Sequence, residues 1–169
     1  MKPVKMIRAP NRLRAAMAAA GGLSVREAIR RSEAAVDTLR EPCVAQIDEI
    51  LAEIDARFGA AAPGRDGEDF ESLYVLATRI IDVSIVVRNS GLDDASRALC
   101  DLADLSSEIG RWDWPAVEVH IEALKMLRAN GEAMTKDQRN AVVGGLIKVT
   151  RKRVGDPAAL TAAAAQGEA

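Results

Sequence analysis

The chain contains a single histidine, His120, within the segment WDWPAVEVHIEALKMLR that spans residues 112–128. A neutral imidazole transfers protons near neutral pH and can also act as a nucleophile that accepts a phosphoryl group. Because a helix has about 3.6 residues per turn, side chains three and four positions from His120 share its face. All of these neighbours are apolar: Ala116, Val117, Ala123 and Leu124, with Leu127 nearly in line two turns on. We therefore expect His120 to be a hydrogen-bonded residue inside a helical core.

The alternative is a histidine that exchanges phosphoryl groups with an aspartyl phosphate on a partner, with the small Ala116 and Ala123 allowing close approach. Histidine-phosphotransfer domains resemble HxxKG at this point, whereas this chain has Ala123 and Leu124 there and carries Lys125 on another face. His120 stays a candidate for phosphotransfer. The sequence has no GxSxG motif, no glycine-rich phosphate loop and no clustered metal ligands, so we expect no cofactor and no metal site.

Two tryptophans, Trp112 and Trp114, flank Asp113, which is a candidate helix N-cap, and Pro115 follows at a first-turn position. Our interpretation is that the pair fixes the entry of the chain into the helix as a hydrophobic staple. If the two rings were exposed, they would instead be an anchor for a protein partner. Trp112 and Trp114 are therefore candidate binding residues.

The composition indicates an all-α protein. Of the 169 residues, 49% are hydrophobic but only 3% are aromatic, so the core is expected to be aliphatic and rich in alanine, the best helix former. Cys43 and Cys100 form no CxxC motif, which favours free thiols and a reducing, cytoplasmic compartment. No apolar run approaches the roughly 18 residues that a membrane span needs, so we expect no membrane insertion.

Helix signals divide the chain into a bundle of four to five packed helices. The capping box SVRE (residues 24–27) opens a helical run that extends to Phe58, and Pro42 should kink or split this run near Glu41. A glycine-rich loop at residues 59–69 precedes a helix at 70–87 that is apolar on most sides and is therefore expected to be central. Its last part, residues 80–87, could instead be a buried strand.

Three further helices are predicted. The first follows residues 89–94 and carries Asp94, Arg97, Asp101, Asp104 and Glu108 on its polar face. The second contains His120 and ends at Asn130–Gly131. The capping box TKDQ (residues 135–138) opens the last one. Gly144 and Gly145 in its interior should cost about 2 kcal/mol relative to two alanines, which suggests a close helix contact or a local break there.

These signals give three segments: a basic N-terminal helical arm at residues 1–22, a helical bundle domain at 23–154 and a short disordered C-terminal tail at 155–169. Residues 1–31 hold eight Lys or Arg against one acid, whereas residues 32–132 hold 21 acids against nine bases. The arm, with Arg12 and Arg14 as candidate binding residues, either docks on its own bundle or reaches an acidic partner. The acidic body makes nucleic acid an unfavourable partner, while the Arg- and Ala-rich start leaves an organellar transit peptide open.

Four segments resemble a known family: APNRLR (9–14), LYVLATRIIDVS (73–84), GLDDASRALCDLAD (91–104) and residues 112–128. They are similar to small proteins encoded in alphaproteobacterial chemotaxis operons and named chemotaxis protein CheE. The resemblance covers about residues 9–153. It implies a cytoplasmic helical protein that acts beside histidine kinases and response regulators, with a receiver domain as the natural partner.

Three functions follow as hypotheses. The first is a non-enzymatic accessory protein of chemotaxis and two-component signalling that binds a response-regulator receiver domain or its kinase, through a helix pair formed by residues 92–128. The second is a histidine phosphotransfer protein with His120 as the carrier. The third is a structural subunit that assembles through its alanine-rich helices and basic arm.

Overall fold

The computed structural model describes residues 22–63, 65, 69–87 and 90–153, and within these ranges every regular element is an α-helix. In chain order the helices are α1 (Val25–Thr38), α2 (Arg40–Phe58), α3 (Phe70–Ser84), α4 (Leu92–Ile109), α5 (Trp114–Asn130) and α6 (Lys136–Arg153). Helices α2 to α6 pack together. The predicted all-α bundle is therefore confirmed. Residue contacts divide the chain into one unit that ends at Asp37 and a second that begins at Thr38, so α1 and the five-helix bundle belong to different units.

Helix α1 begins at the predicted capping box. The Ser24 hydroxyl accepts a hydrogen bond from the backbone N–H of Glu27 at 3.2 Å, which satisfies one of the unpaired amides of the first turn. The Glu27 carboxylate does not complete the box; it binds the guanidinium groups of Arg30 and Arg31, each at 2.8 Å. The arm before Gly22, with Arg12 and Arg14, and the tail at 155–169 lie outside the described residues, and the bundle boundary at residue 23 stays a prediction.

The predicted interruption by Pro42 is confirmed as a split. Helix α1 ends at Thr38, Leu39 lies in a turn, and α2 begins at Arg40, so that Pro42 stands in the first turn of the new helix. Proline is tolerated there because its missing N–H would have no partner within the helix.

Helix α4 is the central helix of the bundle, and its most extensive contact is with α3. Helix α4 packs against α3, α5 and α6, and α5 packs against α2, α4 and α6. The expectation that residues 70–87 form the central helix is wrong, because α3 packs mainly on α2 and α4 and leaves Tyr74 and Val75 39% and 47% exposed. The strand alternative for residues 80–87 is also wrong, since α3 continues to Ser84 and a turn follows.

Helix α6 closes the bundle over α4 and α5. Its capping box is complete: the Thr135 hydroxyl accepts from the Gln138 N–H at 3.2 Å, and the Gln138 side-chain oxygen accepts from the Thr135 N–H at 2.8 Å. The helix runs unbroken through Gly144 and Gly145, and a Cβ atom placed on either glycine would meet nothing within 4 Å. Neither the close contact nor the break expected at these glycines is present.

Candidate functional site

His120 lies in the interior of α5 and is 0% exposed. Its four helical neighbours, Ala116, Val117, Ala123 and Leu124, are buried as well. The apolar pattern around the histidine in the sequence is the cause, because one face of α5 lies against the rest of the bundle and carries the ring inward. The expected inward orientation of His120 is confirmed.

Both ring nitrogens of His120 have hydrogen-bond partners. Nδ1 lies 2.8 Å from the backbone oxygen of Ala116, and Nε2 lies 3.3 Å from the hydroxyl of Thr150 on α6. A carbonyl oxygen only accepts, so Nδ1 carries the proton of the neutral ring. Nε2 is then the acceptor, and the Thr150 hydroxyl donates to it.

Burial governs the protonation of this ring. Removal of water lowers the pKa of His120, and the Ala116 carbonyl and the negative charge of Asp101 offset this only in part. The ring is therefore neutral at pH 7. A phosphoryl acceptor also needs a nitrogen that an aspartyl phosphate can reach, and here Nε2 lies behind Thr150, which is itself 4% exposed. In this arrangement His120 cannot receive a phosphoryl group unless α6 moves.

Thr150, the hydrogen-bond partner of Nε2, also lines a small groove between α4 and α6. The groove has a volume of about 170 Å³ and is lined by Ala98, Asp101, Ile147, Thr150 and Arg151. His120 itself is not among the lining residues. Sequence reasoning missed Thr150, since it lies 30 residues from His120 on a different helix and no local pattern joins the two.

Trp112 and Trp114 form an aromatic cluster at the start of α5. The centroid of the Trp112 ring lies 4.4 Å from that of Phe70, 5.3 Å from that of Trp114 and 6.0 Å from that of Phe58. The guanidinium carbon of Arg65 lies 4.8 Å from the centroid of the Trp114 ring. Both tryptophans are half-buried, an arrangement that fits the staple interpretation. Their role in binding a partner stays a prediction.

Asp113, between the two tryptophans, joins the start of α5 to the end of α6. One of its carboxylate oxygens accepts from the backbone N–H of Ala116 at 3.0 Å, which confirms the predicted N-cap. The same carboxylate pairs with the Nε of Arg153 at 2.8 Å. Cap and ion pair together hold the last turn of α6 beside the entry of α5.

The outer face of α4 carries a row of carboxylates. Asp94, Asp101, Asp104 and Glu108 are exposed, and none forms an ion pair with another residue in the described ranges. Partial burial and the charges of Asp101 and Glu108 raise the pKa of Asp104. Arg97 lies on the same exposed face, so the row consists of four acids and one base and carries a net negative charge.

The predicted docking surface on residues 92–128 is only partly open. These residues form α4 and α5, and α6 packs against both helices. One side of the pair is therefore covered, whereas the carboxylate row of α4 remains accessible. This covering helix could not be recognised from the sequence of residues 92–128.

Residues 22–63, 65, 69–87 and 90–153 contain neither a cluster of metal ligands nor a membrane-spanning helix. No group of three or more His, Cys, Asp or Glu side chains there is arranged to hold a metal ion. None of the helices in these ranges combines the length and apolarity needed to cross a bilayer. Comparison of the chain with protein-family models, with curated proteins and with solved structures finds no match in any of the three.

Proposed function

We propose that this protein is a non-enzymatic, cytoplasmic accessory protein of chemotaxis and two-component signalling that binds a receiver domain or its kinase. The observation that carries the proposal is the enclosure of His120, the one imidazole of the chain, with both ring nitrogens occupied. A carrier of phosphoryl groups would need that ring at its surface. The similarity of the four segments to the CheE proteins supplies the partner class.

The carboxylate row of α4 is the surface that we assign to the partner. A predominantly acidic exposed face raises the rate and selectivity with which a basic partner associates, more than it raises raw affinity. Tyr74 of α3, whose backbone oxygen lies 3.9 Å from the sulfur of Cys100 on α4, adds partly exposed apolar area. Basic side chains around an apolar contact would complement this combination.

A binding titration at pH 7.5 with a purified receiver domain and, separately, a purified kinase tests the proposal. We expect one of them to bind, and Asp101→Asn/Asp104→Asn to weaken that binding mainly through the association rate. Glu49→Gln on α2 is the matched control, because Glu49 is an exposed acid outside the row. Binding of neither protein would contradict the proposal, and a large homo-oligomer without affinity for either would favour the structural subunit.

Incubation with kinase and ATP separates the proposal from phosphotransfer. We expect no label on the protein while binding is retained. Phosphate label that appears on the natural chain and is absent from His120→Gln would show that the bundle opens and exposes the ring. Phosphotransfer by His120 would then replace our proposal.

A further inference from the structure

Helix α6 is the least anchored helix of the five-helix bundle. Of its 18 residues only Leu146 and Thr150 are buried, whereas the 17-residue α5 buries seven. Val142, Val143 and Val149 are partly buried against the core. The two helix-interior glycines weaken α6 further, because each costs about 1 kcal/mol relative to alanine.

One of the two buried anchors of α6 depends on the protonation of His120. In the neutral ring, Nε2 accepts a hydrogen bond from the Thr150 hydroxyl inside the bundle. In the protonated ring both nitrogens are donors. The Thr150 hydroxyl would then have to turn its own hydrogen away, and a full charge would lie in a site from which water is excluded.

The charged groups around this site do not compensate an imidazolium. From α4, the Asp101 carboxylate acts on the ring through its charge, but no carboxylate in the described ranges forms an ion pair with His120. From α6, Arg151 lines the same groove with a charge of the wrong sign. Within α5 and its N-cap, Asp113 pairs with Arg153, Glu118 with Arg65 and Glu122 with Lys125.

Helix α2 adds no free carboxylate on the α5 side. Asp48 pairs with Arg128 and Asp55 with Lys125, both at 2.7 Å, further along α5. An imidazolium at His120 is therefore left with burial against it, and only the Ala116 carbonyl and the charge of Asp101 in its favour.

We propose that α6 covers the α4/α5 pair at neutral pH and is displaced at acidic pH. The hydrogen bond between Thr150 and His120 holds α6 in place, and protonation of His120 breaks it. Displacement of α6 removes the Thr150 side chain from Nε2 and lets water reach the ring. It also uncovers the side of α4 and α5 on which α6 lies. That this surface then takes a partner rests on the proposed function; the release of α6 itself does not.

The direction of the pH effect follows from linkage. Burial holds the pKa of His120 in the closed bundle below its ordinary value, while the opened ring regains a pKa of about 6.5. The open form therefore binds the proton more tightly, and α6 is displaced increasingly as the pH falls below about 6.5. At pH 5.0 the opening equilibrium would be raised by up to about 30-fold relative to pH 7.5.

Hydrogen exchange of the full chain, expressed as protection factors corrected for the intrinsic effect of pH, measures this opening. We expect the amides of α6 to lose protection between pH 7.5 and 5.0, by up to about 30-fold, and α2 to α5 to lose much less. The variant His120→Gln, which cannot gain the charge, should abolish the loss. An unchanged α6, an equal loss in every helix, or the same loss in His120→Gln would overturn the proposal.

A second variant tests the hydrogen bond between Thr150 and His120 at constant pH. It can be used even if His120→Gln does not fold. Thr150→Val keeps the shape of the side chain and leaves Nε2 without its donor. At pH 7.5 we expect about tenfold weaker protection in α6 with α2 to α5 unchanged, since an unsatisfied buried acceptor costs about 1–3 kcal/mol. Protection of α6 equal to that of the natural chain would show that this hydrogen bond does not hold α6 in place. Failure of receiver binding would leave both results untouched, so the two proposals are tested separately.

Discussion

Replacing Gly144 and Gly145 by alanine should stabilise the bundle. Both glycines lie in the interior of α6, and a Cβ atom on either one would have no atom within 4 Å. Alanine therefore adds no clash and reduces the conformational freedom of the unfolded chain. Each substitution is expected to raise the free energy of unfolding by about 1 kcal/mol, and the pair by about 2 kcal/mol.

Urea denaturation followed by circular dichroism measures the gain, and thermal unfolding gives a second reading. For a chain of this size, about 2 kcal/mol corresponds to a rise of about 4–8 °C in Tm. The denaturant slope should stay constant, because the surface exposed on unfolding does not change.

Two other glycines are matched controls that should respond in the opposite direction. A Cβ atom on Gly131 would lie 2.2 Å from the backbone oxygen of Ser90, and Gly91 has φ of +75°, a conformation that alanine adopts only with strain. Gly131→Ala and Gly91→Ala should therefore destabilise the bundle. Loss of stability in Gly144→Ala or Gly145→Ala would refute the reasoning, since it would mean that another surface lies closely against this part of α6.

Two further predictions concern Asp113 and the thiols. Asp113→Asn should lose the ion pair with Arg153 but keep a side-chain oxygen for the Ala116 N–H, whereas Asp113→Ala should lose both interactions. In urea denaturation, Asp113→Ala should therefore reduce the free energy of unfolding by about 1 kcal/mol more than Asp113→Asn does. Equal reductions in the two variants would show that the N-cap does not contribute to stability. Cys43, which is half-buried, should react with a thiol reagent under native conditions well before Cys100, which is 8% exposed and whose pKa is raised by burial. Mass spectrometry of the labelled peptides gives the order, and faster labelling of Cys100 would contradict the packing of α4.

The features that the sequence predicted correctly depend on local patterns. Helix starts at Ser24, Asp113 and Thr135 are marked by side chains that bond to amides within three residues, so a short stretch of chain determines them. The inward orientation of His120 follows in the same way from its own helix face. Neither inference needs any knowledge of what packs against the helix.

The features that were missed depend on contacts between distant segments. Helix α6 covers the α4/α5 pair, and Thr150 reaches His120 across 30 residues, but the apolar pattern of α6 is weak and points to no particular neighbour. A close contact or a break was expected at Gly144 and Gly145, and neither is present. The absence of a side chain is compatible with a close helix contact, but it is equally compatible with an open surface. The helix at 70–87 was wrongly expected to be central, because an apolar pattern does not show that α3 packs mainly on only two other helices.

The ring of His120 offers the most direct test of the whole interpretation. Nitrogen-detected NMR titration of the native protein reports which ring nitrogen carries the proton and at what pH the ring becomes charged. We expect the neutral form to be protonated at Nδ1 and the pKa to lie below about 6.5. A ring that is protonated at Nε2 when neutral, or that titrates at or above that value as an exposed histidine does, would contradict an enclosed His120 and restore it as a candidate phosphoryl carrier.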